Sequence, residues 1–96
     1  MKTIWKFPLQ LHYSTQTLQV PFGAKFLHVD WQNETLCIWA EVKVEPSAVM
    51  QSRILAVVGT GHPIPEGDAR YIGSIQRKDS QGFEFLIFHI YEMEGF

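Results

Sequence analysis

The sequence predicts an all-β fold, a small single-domain antiparallel sandwich or partly open barrel of six to seven strands spanning residues 1–96. Three observations carry this. Lys25 to Val44 alternates apolar and polar residues with a period of two. The C-terminal segment is rich in β-branched and aromatic residues. No window of a dozen residues carries an apolar stripe at helical spacing.

In chain order, Thr3 to Phe7 and Thr17 to Val20 are short strands bounded by Pro8 and by Pro21-Phe22-Gly23. In Lys25 to Trp31, alternation groups Leu27, Val29 and Trp31 on one face and Phe26, His28 and Asp30 on the other. Leu36, Ile38, Ala40, Val42 and Val44 form a second apolar row, opposed by Cys37, Trp39, Glu41 and Lys43. Gln32-Asn33-Glu34-Thr35 joins the two runs as a hairpin, because Asn tolerates positive φ. Ser47 to Gln51 has room for one short helical turn after Pro46. Arg53 to Val58 and Arg70 to Gln76 are strands, the latter with Gly73 at a bulge. Phe83 to Glu92, preceded by the turn signal Gln81-Gly82, is apolar on both faces and reads as a central strand covered on both sides. The remaining acidic end, Glu92 to Phe96, is expected to fray.

Composition excludes several classes. With 8 basic and 10 acidic residues the net charge is −2, which gives no electrostatic footprint for duplex nucleic acid. No apolar run is long enough for a transmembrane helix, and Met1 to Lys6 lacks the apolar core of a signal peptide. The single thiol, Cys37, fits a reducing, cytoplasmic compartment.

The segment Gly59-Thr60-Gly61-His62-Pro63-Ile64-Pro65-Glu66-Gly67-Asp68 stands out chemically. Its glycines permit a sharp bend, and its prolines stiffen the arm beyond the bend. Such a corner exposes consecutive amides that suit an anion. It is not a known phosphate fingerprint, because position 64 is Ile and no Gly-Lys-Ser/Thr occurs. The competing reading is a stiff connector between strands.

The histidines His12, His28, His62 and His89 show no metal-ligand spacing, and no metal or other cofactor is expected. His28 and His89 lie in strands as satisfied sheet residues, whereas His62 lies in the loop. Cys37 is a buried strand thiol, and no serine sits in a nucleophile elbow, so no catalytic residue is assigned. Trp39 occupies the polar face of its strand, where a second layer, a second copy or a stacked ligand would cover it.

The opening Met1-Lys2-Thr3-Ile4-Trp5-Lys6-Phe7-Pro8-Leu9 resembles that of a family of small proteins of unknown function encoded in bacteriophages and prophages. The resemblance continues at Val20 to Lys25, Cys37 to Ala40, Gly59 to Pro65, Arg70 to Gly73 and Phe88 to Glu92, and so covers nearly the whole chain. Its most specific element is Gly-Thr-Gly-His-Pro-Ile-Pro. Relatives usually read Asn-Gly where this chain has Asn33-Glu34, and glutamate costs more at positive φ than glycine. The resemblance implies life inside a bacterial host cell and brings no catalytic residues.

Three functions compete. The first is a non-enzymatic accessory protein that binds a small anionic or nucleotide-type ligand, such as a host defence signal. Its candidate site is Gly59, Thr60, Gly61, His62, Arg70, Tyr71 and Trp39, with Arg70 pairing a phosphate and Tyr71 or Trp39 stacking on a ring. The second is a protein–protein interaction module, a host-factor inhibitor or virion accessory, using an edge strand such as Thr3 to Phe7. The third is a small hydrolase using His62 with Glu66 or Asp68. A homodimer is expected with each, since a second copy would cover the hairpin's outer face.

Overall fold

The computed structural model describes residues 1–11, 15–78 and 85–94. Seven strands run through them: β1 (Lys2–Pro8), β2 (Thr15–Pro21), β3 (Lys25–Gln32), β4 (Thr35–Lys43), β5 (Met50–Gly59), β6 (Asp68–Lys78) and β7 (Phe85–Glu94). They form two antiparallel sheets, ordered β1-β4-β3 and β2-β5-β7-β6. The result is the predicted small sandwich, not closed into a barrel. Period-two patterning explains it. Leu36, Ile38, Ala40 and Val42 of β4 face inward, as do Val20, Leu55, Val57, Ile75, Phe88 and Ile90 of the other sheet, and all are buried. Each large aliphatic side chain buried there contributes about 1.5–3 kcal/mol.

The sheets draw together along β3 and β6. The Trp31 indole N–H donates to the Gln76 carbonyl at 3.1 Å, and the Arg77 guanidinium lies 5.1 Å from the Trp31 ring. Gly73 permits the approach, since a Cβ there would lie 3.0 Å from Cγ2 of Val29.

Two bulges reset the faces. Register shifts between Phe26 and His28, so Leu27 is the extra residue. Phe26 and Val29 therefore both point inward, while Leu27 is exposed. Simple alternation instead sets Leu27 with Val29, opposite Phe26. In β6 the shift lies between Tyr71 and Gly73, so Ile72 is the extra residue and packs on the core.

The β3–β4 hairpin is a two-residue turn with positive φ at both Asn33 (49°) and Glu34 (66°), the type I′ geometry. Residues 47–51 make no helical turn. Pro46 and Ser47 instead form a β-turn closed by Ala48 N–H to the Glu45 carbonyl at 3.0 Å, and Met50 and Gln51 begin β5. Strand β7 is central, as expected, but is not covered on both sides, because Ile87 on its outer face is 40% exposed. Nor does the chain fray from Glu92: Glu92, Met93 and Glu94 are paired within β7, and Glu92 is buried. Gln81-Gly82, the predicted strand start at Phe83, His12 and residues 95–96 lie outside the described residues.

Strands β5 and β6 both run antiparallel to β7 and flank it, so they are parallel to each other and need a crossover. Gly59 lies opposite Phe88, and Asp68 opposite Glu94. The connection must therefore return about 20 Å along the strands while crossing about 10 Å of sheet. Nine residue steps reach about 30 Å when extended, so little slack exists. The pre-proline residues His62 and Ile64 favour that extended state. The inner face is filled by the core, so the connection crosses on the outer side of the sheet, where Ala56, Val58 and Met93 form a second buried cluster.

Candidate ligand-binding site

The end of the sandwich that carries the β2–β3 turn gathers charge and rings. Pro21 to Ala24 close a β-turn, Ala24 N–H donating to the Pro21 carbonyl at 3.1 Å, and Gly23 supplies the positive φ (80°) its third position requires. Phe22 N–H donates to the Val49 carbonyl at 2.8 Å, and Gly23 N–H to Gln51 Oε1 at 3.3 Å. The Phe22 backbone is thus fixed, yet its side chain leaves the residue 69% exposed.

Beneath this turn lies a buried ion pair. Arg53 and Glu92 occupy inward positions of β5 and β7, and their side chains are 14% and 6% exposed. The Arg53 guanidinium donates to the carboxylate through Nε and through Nη2, the latter at 2.8 Å. Its Nη1 donates to the Ala24 carbonyl at 2.8 Å, and it lies 4.8 Å from the Phe26 ring. The hydrogen bond to Glu92 raises the Arg53 pKa, burial opposes this, and the negative charges of Glu92 and Glu94 add to the rise. Arg70 approaches the same carboxylate at 3.5 Å and Glu94 at 3.9 Å, but its side chain remains 57% exposed.

Around these groups is a cavity of about 540 Å³, walled by Phe22, Lys25, Phe26, Arg53, Arg70 and Tyr71 among others. One carboxylate, Glu92, compensates Arg53. Arg70 is 57% exposed but is itself faced by Glu92 and Glu94, whereas Lys25 has no carboxylate within 4 Å among the described residues and supplies the uncompensated positive charge. The arrangement can hold an anion beside an aromatic wall. A second cavity, also about 540 Å³, lies against the other side of the Phe22-Gly23 turn, lined by Lys43, Glu45, Ser47 and Val49.

The sequence-predicted site residues divide. Arg70 and Tyr71 wall the first cavity. Gly59, Thr60, Gly61 and His62 begin the crossover. Gly61 has positive φ (89°), but the Thr60 N–H donates to the Ile87 carbonyl at 3.2 Å and the His62 N–H to the Gly59 carbonyl at 3.0 Å. Those two amides are therefore engaged within the chain rather than offered to an anion. Thr60 and Tyr71 are joined by a row of contacts: Thr60 Oγ1 to His89 Nε2 at 2.9 Å, His89 Nδ1 to Ser74 Oγ at 2.7 Å, and Ser74 Oγ to Tyr71 Oη at 2.6 Å. This row fastens the start of the crossover to β7 and β6. Trp39 is not brought to these residues. It stands on the outer face of the three-stranded sheet, 5.9 Å from the His28 ring. Glu66 and Asp68 are exposed, and among the described residues no three His, Cys, Asp or Glu side chains are grouped to hold a metal.

Sequence reasoning missed Lys25, Arg53 and Glu92 as site residues. One signal was present: Arg53 shares a strand face with Leu55 and Val57, and Glu92 shares one with Phe88 and Ile90. A charge in an inward row needs a buried partner.

Fold and site define a small two-sheet β domain with a cationic, ring-walled cavity at one end. Over residues 1–96 the chain matches, and belongs to, the family described as Domain of unknown function (DUF7352). No curated protein and no solved structure matches it. No helix among the described residues is long and apolar enough to cross a membrane.

Proposed function

We propose that this protein acts by binding, without chemistry of its own, and that it takes a small anionic ligand of nucleotide type at the Phe22-Gly23 turn, the anionic group seated in the cavity beneath it. The observation that carries this is the convergence of Lys25 and Arg70 with the exposed Phe22 ring around one space. The cations meet a phosphate and the Phe22 ring meets a planar group. The Arg53–Glu92 pair positions the wall instead of contacting the ligand. The resemblance to phage and prophage proteins supports a setting in the bacterial cytoplasm, where such a protein would sequester a host defence signal. Isothermal titration with phenyl phosphate, AMP, GMP and cyclic AMP tests the reading. At least one ligand should bind, and Arg70→Ala should weaken it about tenfold or more, as loss of a charge-assisted contact implies. Binding of none, or binding indifferent to Arg70, refutes it.

A second reading, an interaction module, is favoured by β1. Its outer edge is unpaired among the described residues, and it exposes Ile4 (58%) and Trp5 (39%). Light scattering on the purified chain tests its simplest form, a dimer through this edge. A dimer that Trp5→Glu dissociates supports it, and a monomer at millimolar concentration removes that form.

A further inference from the structure

We infer that the ligand straddles the Phe22-Gly23 turn and is a guanine nucleotide, its phosphate on the Lys25 and Arg70 side and its base on the Glu45 side. This deepens the proposed binding function and rests on it. Phe22 and Gly23 are walls of both cavities, so one turn forms the ridge between them. That ridge is held by the hydrogen bonds of the Phe22, Gly23 and Ala24 amides, and from below by Arg53 on the Ala24 carbonyl. An exposed ring on so fixed a backbone offers a stacking face at low entropic cost.

The two sides differ in charge. The first cavity is lined by the three cations Lys25, Arg53 and Arg70 against two nearby carboxylates, Glu92 and Glu94, which leaves it one positive charge in excess. In the second, Lys43 and Glu45 balance. A molecule with an anionic group at one end and an uncharged ring at the other matches both. Glu45 selects the ring. Its carboxylate has no hydrogen bond or ion pair among the described residues, and a carboxylate only accepts hydrogen bonds. Guanine presents two adjacent donors, N1–H and the N2 amino group, which a carboxylate pairs with in bidentate fashion. Adenine's corresponding edge mixes a donor with an acceptor.

The test is isothermal titration of the whole chain with GMP, AMP, guanosine and ribose 5-phosphate, repeated on Glu45→Gln, Phe22→Ala and Arg70→Ala. GMP should bind about tenfold or more tightly than AMP, within the range a bidentate base contact provides. Glu45→Gln should shrink that preference to about threefold or less, and Phe22→Ala should weaken both nucleotides. Guanosine and ribose 5-phosphate should each bind more weakly than GMP. Equal binding of GMP and AMP, both dependent on Arg70, overturns the guanine assignment and leaves anion binding standing. A preference for GMP that survives Glu45→Gln also overturns it. Failure of every ligand takes down the proposed binding function itself. Phe22, Glu45 and Arg70 are exposed, and a far-UV melt confirms that each variant folds.

Discussion

Glu92→Gln probes the element on which the cavity stands. The carboxylate is 6% exposed and receives two donors from Arg53, with Arg70 at 3.5 Å. Glutamine keeps the shape but sets an NH₂ group against a guanidinium and removes the compensating charge. Breaking a fully buried pair this way costs about 3–5 kcal/mol. Arg53 retains its bond to the Ala24 carbonyl and a side chain 14% exposed, so the expected loss is nearer about 2–3 kcal/mol. For a domain of this size that lowers Tm by roughly 10–20 °C. Urea unfolding followed by tryptophan fluorescence measures it. The Arg53 pKa is raised, so its stabilising contribution is fully present below the ordinary arginine range and fades only as pH climbs through the raised value. The difference between wild type and variant should therefore hold from about pH 6 to about pH 9. The paired replacement Arg53→Met with Glu92→Leu should fall within about 1–2 kcal/mol of wild type, or above it, because no charge is left alone. A loss below about 0.5 kcal/mol for Glu92→Gln, the surface-pair range, would refute the buried-pair argument.

Three further outcomes rest on particular contacts. Gly73→Ala sets a Cβ 3.0 Å from Val29 Cγ2, so it should cost about 1–3 kcal/mol in thermal or urea unfolding, and Val29→Ala should partly rescue it; additive losses would contradict the close approach. Glu34→Gly relieves a left-handed glutamate and should raise stability by about 0.5–1 kcal/mol; a fall in Tm would contradict the type I′ geometry. His89→Ala removes the contacts to Thr60 and Ser74, so amide exchange at Thr60 should speed by about tenfold while exchange at Leu55 and Ile90 changes far less; unchanged protection at Thr60 would show that the histidine does not fasten the crossover.

The strands were legible because a pleated, half-buried ribbon writes itself locally as a period of two, as in Leu36, Ile38, Ala40 and Val42. The bulges were not, because Leu27 and Ile72 are extra only relative to strands distant in sequence. The crossover was half legible. The bend at Gly61 and the stiffness from Pro63 and Pro65 can be read from residues, whereas the destination of residues 60–67 depends on β7 lying between β5 and β6. Of the predicted site, Arg70 and Tyr71 wall the cavity. Trp39 was grouped with them by residue chemistry alone, and its strand belongs to the other sheet. Arg53 and Glu92 lie 39 residues apart, so only the sheet register brings them together.

Amide chemical-shift mapping during titration with GMP addresses the binding site most directly. The perturbed amides should cluster at Phe22 to Phe26 and at Arg70 to Ile72, with a second group at Glu45 to Val49. Perturbation centred on Thr60 to His62, or none anywhere, would contradict this placement.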